Sequence, residues 1–122
     1  MRNPLLPDLS DLIGLPYRPH GRGENGIDCF GLIWLIAFRM GKPIPDVPYK
    51  GFDPGHMKLA DQMKVKKIEY CETGCVIEML KDERLHLGFA VDGGRMIHAT
   101  TNEGVIIEEI GKYPIKGYWR FD

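Results

Sequence analysis

The sequence predicts an α+β domain in which helices come first and an antiparallel sheet follows. The first third of the chain contains one long apolar segment with helix start and stop signals, from Cys29 to Met40. After Cys75 the character changes to short β-branched or aromatic runs with turn residues between them: VIEML, LHLGFAV, RMIHAT, GVIIEEI and KGYWRF. Helices followed by about five such strands indicate the α+β class.

Chain length, net charge and the longest apolar run limit which kinds of protein this sequence can encode. The 122 residues are the usual size of one domain, so we expect a single domain over 1–122. Sixteen basic against seventeen acidic residues give a net charge of -1, which does not favour a nucleic-acid partner. The longest apolar run, from Leu32 to Phe38, is too short for membrane insertion.

Two further helices are predicted outside the long apolar segment. The first is a short helix from Asp8 to Ile13, with Gly14 at its end. The second covers Met57 to Lys67 and has weaker support in the sequence. The region from 15 to 26 is rich in Gly, Pro and Arg and is predicted as loop.

The segment that begins at Cys29 is predicted to be a buried central helix. Asp28 is a suitable N-cap, and Gly41 followed by Pro43 supplies the stop. The helix is apolar on nearly every side until Arg39, which is typical of a helix inside a core.

Cys29 stands at the first turn of this helix, where the sequence leaves two readings. Unsatisfied backbone N–H groups and the helix dipole favour a thiolate, so Cys29 could be a nucleophile with a lowered pKa. Alternatively, it packs as a small buried residue. The other cysteines, Cys71 and Cys75, lack the partners of a disulfide framework or a zinc site, so we expect no metal and no cofactor.

A catalytic thiol needs a base, and two histidines flank the turn at 92–94. With a loop of two or four residues, His86 and His98 would point to opposite faces of the sheet. With a three-residue loop, His98 lies opposite Gly88, and the two histidines become diagonal neighbours within roughly 7–8 Å. A three-residue hairpin loop favours a left-handed backbone conformation at its third residue, which Gly94 could adopt. The alternative is two unrelated strand histidines.

With these residues laid out, the chain resembles the NlpC-type cell-wall cysteine peptidases, which are papain-like. The matching blocks are LIGLPYRPHGRGENGIDCFGLIW, HLGFAVDGGRMIHAT and a closing GYWRF. Together they contain a Tyr-Pro loop, an Asp-Cys-x-Gly helix start and a His-x-Gly strand followed by a second histidine.

The resemblance implies a role for each matching residue. Cys29 would be the nucleophile, His86 the general base and His98 the group that orients His86. The backbone N–H of Cys29 would help to bind the oxyanion. Tyr17, Asp28 and Phe30 would lie at the substrate pocket, although Tyr17 could instead pack under its loop and Asp28 could be a plain N-cap.

The resemblance also implies a substrate, the peptide stem of peptidoglycan, often cut between γ-D-glutamate and diaminopimelate. Phe30 replaces the small hydroxyl residue of many members, which leaves the bond open. Phe30 and the GLPYRPHGRG loop look most like the phage-tail branch. The N-terminus lacks the order of a secretory signal, so we expect synthesis in the bacterial cytoplasm and carriage by a phage tail, with tail-tip proteins as partners.

Two other functions fit the same residues. The protein could be a catalytically silent tail-assembly or structural protein that keeps the fold, or an amidase or acyltransferase with a substrate outside the wall. Retention of Cys29, His86 and His98 favours the enzyme, because a scaffold has no physical need for all three.

Overall fold

The computed structural model describes residues 6–46 and 63–122, and within them the fold is α+β. The elements, in chain order, are a 3₁₀ helix (Ser10–Leu12), β1 (Arg22–Gly23), β2 (Gly26–Ile27), α1 (Cys29–Arg39), β3 (Val65–Ile68), β4 (Val76–Lys81), β5 (Arg84–Ala90), β6 (Arg95–Thr100), β7 (Gly104–Glu109) and β8 (Ile115–Phe121). The predicted fold class is confirmed.

Strands β3 to β8 form one antiparallel sheet in the order β3-β8-β4-β5-β6-β7. The five predicted strands are β4 to β8. A sixth, β3, pairs Val65 with Phe121 at the edge of the sheet. The helix predicted over Met57 to Lys67 is therefore wrong at 65–67, which belong to β3, and its part before residue 63 lies outside the described residues. The pairing with the C-terminal strand β8 decides this segment, and no local pattern encodes that partner.

Helix α1 begins and ends close to the predicted residues. Its N-cap is Asp28, whose Oδ1 accepts a hydrogen bond from the Gly31 N–H at 2.7 Å. The helix ends at Arg39, and Gly41 follows in a left-handed conformation with φ +75°. The predicted helix over Asp8 to Ile13 is only the 3₁₀ turn Ser10–Leu12, in which the Asp8 carboxylate accepts from the Ser10 N–H.

The sheet has two different buried faces. On one face, alternate residues of β5 such as Leu87 and Phe89 belong to the large core that contains α1. The other face carries a smaller apolar cluster that includes Met79 and Met96. Because side chains alternate along a strand, His86 and His98 belong to the Met79 and Met96 face. No helix among the described residues is long and apolar enough to cross a membrane.

The β5–β6 hairpin has the register of a three-residue loop. Phe89 pairs with Ile97 and Ala90 with Met96, and the Val91 N–H donates to the Arg95 carbonyl at 3.0 Å. The expected left-handed conformation of Gly94 is wrong, since Gly94 does not have a positive φ. The Asp92 carboxylate holds the turn instead, accepting from the backbone N–H groups of residues 94 and 95 at 2.9 and 2.8 Å.

Candidate active site

The Asp-Cys-x-Gly sequence builds the N-terminal end of α1 through a close approach of two segments. A Cβ placed on Gly31 would lie 2.2 Å from the carbonyl oxygen of Gly21, so only glycine fits. Asp28 ties the same segments together, since its Oδ2 accepts from the His20 N–H at 2.8 Å and its Oδ1 pairs with Arg22 at 3.1 Å. Cys29 is therefore held in a fixed position.

Strands β5 and β6 pair fully only beside their turn. They are paired at two positions, Phe89 with Ile97 and Ala90 with Met96, whereas β4–β5 and β6–β7 are each paired at six. The backbone of Leu87 lies beyond the paired part. A hydrogen bond between the Leu87 backbone and the Cys29 sulfur acts to lower the pKa of the thiol. The N-terminus of α1 thus places the thiol against the backbone of Leu87, the residue that follows His86 in the sequence.

The side chains of His86 on β5 and His98 on β6 are in direct contact. The Nε2 atom of His86 lies 2.8 Å from the Nδ1 atom of His98, and the rings are close to perpendicular at 76°. Both side chains are buried. The sequence-based expectation that the three-residue loop lets these imidazoles meet is confirmed. Among the hydrogen bonds of the described residues none joins Cys29 to His86, and catalytic hydrogen bonds commonly tighten only when substrate binds.

The chain of hydrogen bonds continues to a residue that the sequence analysis did not identify. Glu108 Oε1 lies 2.6 Å from His98 Nε2. The Tyr113 hydroxyl also donates to Glu108 Oε1 at 3.2 Å, and Lys112 pairs with Oε2. Glu108 lies on β7, where the residue paired with His98 is Ile106. Glu108 is two residues from Ile106 and so lies on the same face of the sheet as His98. The sequence could indicate this contact only if the register between β6 and β7 were known.

Burial sets the charge of the thiol and of both imidazoles. It raises the pKa of Cys29 to about 12, against the opposing effect of nearby backbone N–H groups. Of the two features considered for Cys29, burial therefore outweighs the helix N-terminus in setting this pKa, because loss of hydration exceeds the effect of the dipole. Burial, followed by the charges of His98 and Lys81, lowers the pKa of His86 to about 3. At neutral pH the site thus holds a neutral thiol and a neutral imidazole.

The series of hydrogen bonds from His86 through His98 ends at Glu108, which carries a negative charge. Burial alone would raise the pKa of Glu108, but hydrogen bonds from Lys112 and His98 outweigh it and lower that pKa. Burial lowers the pKa of His98, although Glu108 opposes this change. A carboxylate therefore faces a neutral His98.

The three residues assigned to a substrate pocket have different environments. Tyr17 is half-buried, and its pKa is raised first by burial and then by Cys29 and Asp28. Asp28 is buried in its cap and ion-pair contacts, which confirms the N-cap reading. Phe30 is completely buried in the core with the Arg22 guanidinium over its ring, which favours a packing role. Substrate contact by these residues stays a prediction.

Solved structures share this fold. The NlpC/p60 domain of the peptidoglycan hydrolase SagA matches with a TM-score of 0.62 at 19% identity over 89% of each chain. NlpC2 from Trichomonas vaginalis has a TM-score of 0.68 at 23% identity, covering 93% of this chain and 44% of that one. A lipoprotein-like NLP/P60 protein from Staphylococcus aureus has a TM-score of 0.66 at 19% identity, covering 90% and 37%. The chain thus spans less than half of the latter two proteins.

These likenesses confirm the predicted NlpC-type papain-like fold. Among curated proteins no sequence matches the chain. The model of the NlpC/P60 family, in contrast, matches residues 14–121, which include the helix start at Cys29 and both strands that carry His86 and His98. The chain therefore belongs to the NlpC/P60 family.

Proposed function

We propose that this protein is a cysteine peptidase in which Cys29 is the nucleophile, His86 the general base and His98 the orienting group. The observation that carries the proposal is the 2.8 Å contact between the imidazoles, together with the contact of the Cys29 thiol with the backbone of Leu87, the residue after His86. A nucleophile, a base and an orienter in this order are the parts that acyl transfer requires.

The neutral resting state defines the first step. The Cys29 sulfur attacks the amide carbonyl carbon while the thiol proton passes to His86 Nδ1, the nitrogen that does not face His98. The tetrahedral intermediate then expels the amine, which takes that proton from His86, and leaves a thioester on Cys29. A water molecule, deprotonated by His86, attacks the thioester, and release of the acid returns the proton to Cys29.

The oxyanion of the intermediate needs donors that are already in place. The N–H of Gly31 is taken by the Asp28 carboxylate and that of Leu32 by the Asp28 carbonyl. The backbone N–H groups of Cys29 and Phe30 lie beside the thiol and act to lower its pKa. We assign the N–H of Cys29 to the oxyanion site, with the Tyr17 ring beside it.

The proposed substrate is the peptide stem of peptidoglycan, cut between γ-D-glutamate and diaminopimelate. Membership of the NlpC/P60 family supports this choice, as does the fold shared with a domain of a peptidoglycan hydrolase. We propose further that the protein acts with a phage or prophage tail. This is supported by the sequence alone, through Phe30 and the GLPYRPHGRG loop at 14–23.

The test is mass spectrometry of purified peptidoglycan fragments after incubation with the protein. A Cys29→Ala variant serves as the inactive control, and Cys71→Ala is the matched control because Cys71 is a second free cysteine, whose sulfur lies 3.8 Å from that of Cys75. New peptide ends produced by the wild type and by Cys71→Ala, but not by Cys29→Ala, would support the peptidase and identify the bond.

Other outcomes separate the alternative functions. Cleavage that survives Cys29→Ala would refute the assigned nucleophile. No cleavage of stem peptides, together with hydrolysis of other amides that depends on Cys29, would indicate an amidase or acyltransferase with another substrate. Antibody detection of the protein in purified tail particles tests the tail assignment, which its absence from them would refute.

A further inference from the structure

We propose that Glu108 is a positioning residue that fixes the tautomers of His98 and His86 and so leaves His86 Nδ1 free to accept a proton. This inference rests on the proposed function, in which His86 is the base. It starts from contacts that extend the two histidines by one more group on the neighbouring strand.

The placement of Glu108 follows from the register of β6 and β7. Met96 pairs with Glu108, and His98 pairs with Ile106, so His98 and Glu108 are diagonal neighbours on one face. The Nε2 to Oε1 distance of 2.6 Å is that of a short, charge-assisted hydrogen bond. His98 is 0% exposed, so water does not compete for this contact.

The direction of the hydrogen bonds follows from counting protons. An ionised carboxylate can only accept, so the Nε2 atom of His98 must carry the hydrogen that faces Glu108. A neutral imidazole carries one such hydrogen, which makes His98 Nδ1 an acceptor. The hydrogen in the 2.8 Å contact must then come from His86 Nε2. His86 Nδ1 is left with a free lone pair, as the base requires.

Without Glu108 the donor and the acceptor of the hydrogen bond between His86 and His98 could exchange roles. His98 would then carry its hydrogen on Nδ1 and donate it to His86 Nε2. That arrangement puts the His86 hydrogen on Nδ1, where it blocks acceptance of a proton. The Glu108 charge also favours the imidazolium that forms on His86 during the reaction, since it acts to raise the pKa of His86.

The surroundings of Glu108 hold its orientation. Oε1 accepts from both His98 and Tyr113, whereas Oε2 faces Lys112, which is largely exposed. A Glu108→Gln variant should therefore place its amide oxygen toward His98 and Tyr113 and its NH₂ group outward, where the exposed Lys112 can turn away from it. This variant keeps the acceptor, and Glu108→Ala removes it.

The experiment measures the tautomer of His86 by NMR on protein with ¹⁵N-labelled histidine, using two-bond proton–nitrogen correlations in the resting protein. We expect the Nε2–H form in the wild type and in Glu108→Gln, and a shift toward the Nδ1–H form in Glu108→Ala. Activity on stem peptides should fall by about 10- to 100-fold in Glu108→Ala, by analogy with the loss when the hydrogen-bond partners of metal-binding histidines are removed. Glu108→Gln should lose less.

Glu109→Ala is the matched control, because Glu109 is the next residue of the same strand and is exposed. It should change neither the tautomer nor the activity. An unchanged Nε2–H form in Glu108→Ala would overturn the positioning role, as would equal losses of activity in the Gln and Ala variants. Because the NMR measurement needs no substrate, it decides the role of Glu108 even if the wild type cleaves no stem peptide.

Discussion

Replacement of His86 by glutamine should remove a defined part of the pH dependence of folding. In the unfolded chain a histidine takes up a proton below about pH 6.5, whereas burial in the fold lowers the pKa of His86 to about 3. Between these values the unfolded state binds one more proton than the folded state. The contribution of His86 to stability is therefore fully present above pH 6.5 and is lost as the pH falls toward 3.

The two pKa values give the size of this effect. Each pH unit inside the window changes the free energy of unfolding by about 1.4 kcal/mol. From pH 7 to pH 5 the loss due to His86 alone integrates to about 2 kcal/mol, since the proton uptake of the unfolded state begins only near pH 6.5. His98, whose pKa is also lowered by burial, contributes a loss of the same sign in both proteins.

The assay is urea unfolding of the wild type and His86→Gln at pH 7, 6 and 5. The glutamine variant has its own stability at pH 7, so the comparison uses the change with pH and not the absolute values. The carboxylates that titrate in both proteins largely cancel in this difference. The wild type should lose about 2 kcal/mol more than the variant between pH 7 and pH 5. Parallel pH profiles would refute the reasoning, since they require His86 to titrate normally in the fold.

Three further predictions concern the end of α1. Because burial raises the pKa of Cys29 to about 12, its alkylation by iodoacetamide, followed at this peptide by mass spectrometry, should be slow below pH 8; rapid alkylation at pH 6 would contradict this. Gly31→Ala should destabilise by about 1–3 kcal/mol in urea, because its Cβ would meet the Gly21 carbonyl, whereas Gly93→Ala, which meets nothing, should be near neutral. Asp28→Ala should cost about 2 kcal/mol in thermal or urea unfolding through loss of the N-cap, and a cost near zero would exclude that role.

Local chemistry made the helix and the hairpin predictable from the sequence. The N-cap at Asp28 and the glycine stop after Arg39 are signals within a few residues of the boundaries they set. The register that joins His86 to His98 depends only on the length of one loop. The sequence left the length of that loop open and gave only the consequence of each length, and the means of closing the turn was not predictable. The Asp92 carboxylate accepts two backbone hydrogen bonds there and makes a left-handed Gly94 unnecessary.

Features that depend on distant partners could not be predicted. Strand β3 exists because Val65–Ile68 pairs with β8, fifty or more positions later in the chain. Glu108 joins His98 only through the register of a second hairpin. The sequence left the pKa of Cys29 open, because a position at a helix N-terminus gives the dipole but does not give the depth of burial that opposes it.

Glycines explain how such short motifs can specify the site. A Cβ on Gly88 would lie 3.0 Å from Met79 Cε, 3.1 Å from Met96 Sδ and 3.6 Å from the Cβ of His98. The His-x-Gly pattern thus leaves, opposite His98, a residue without a side chain, and His98 can lie across β5 and reach His86 on the diagonal. Gly31 does the same for the helix, since it lets the Gly21 carbonyl pack against the turn that holds the thiol. Each motif thus places a glycine close to a residue proposed for catalysis, and the space that the glycine leaves is occupied by a neighbouring segment or side chain.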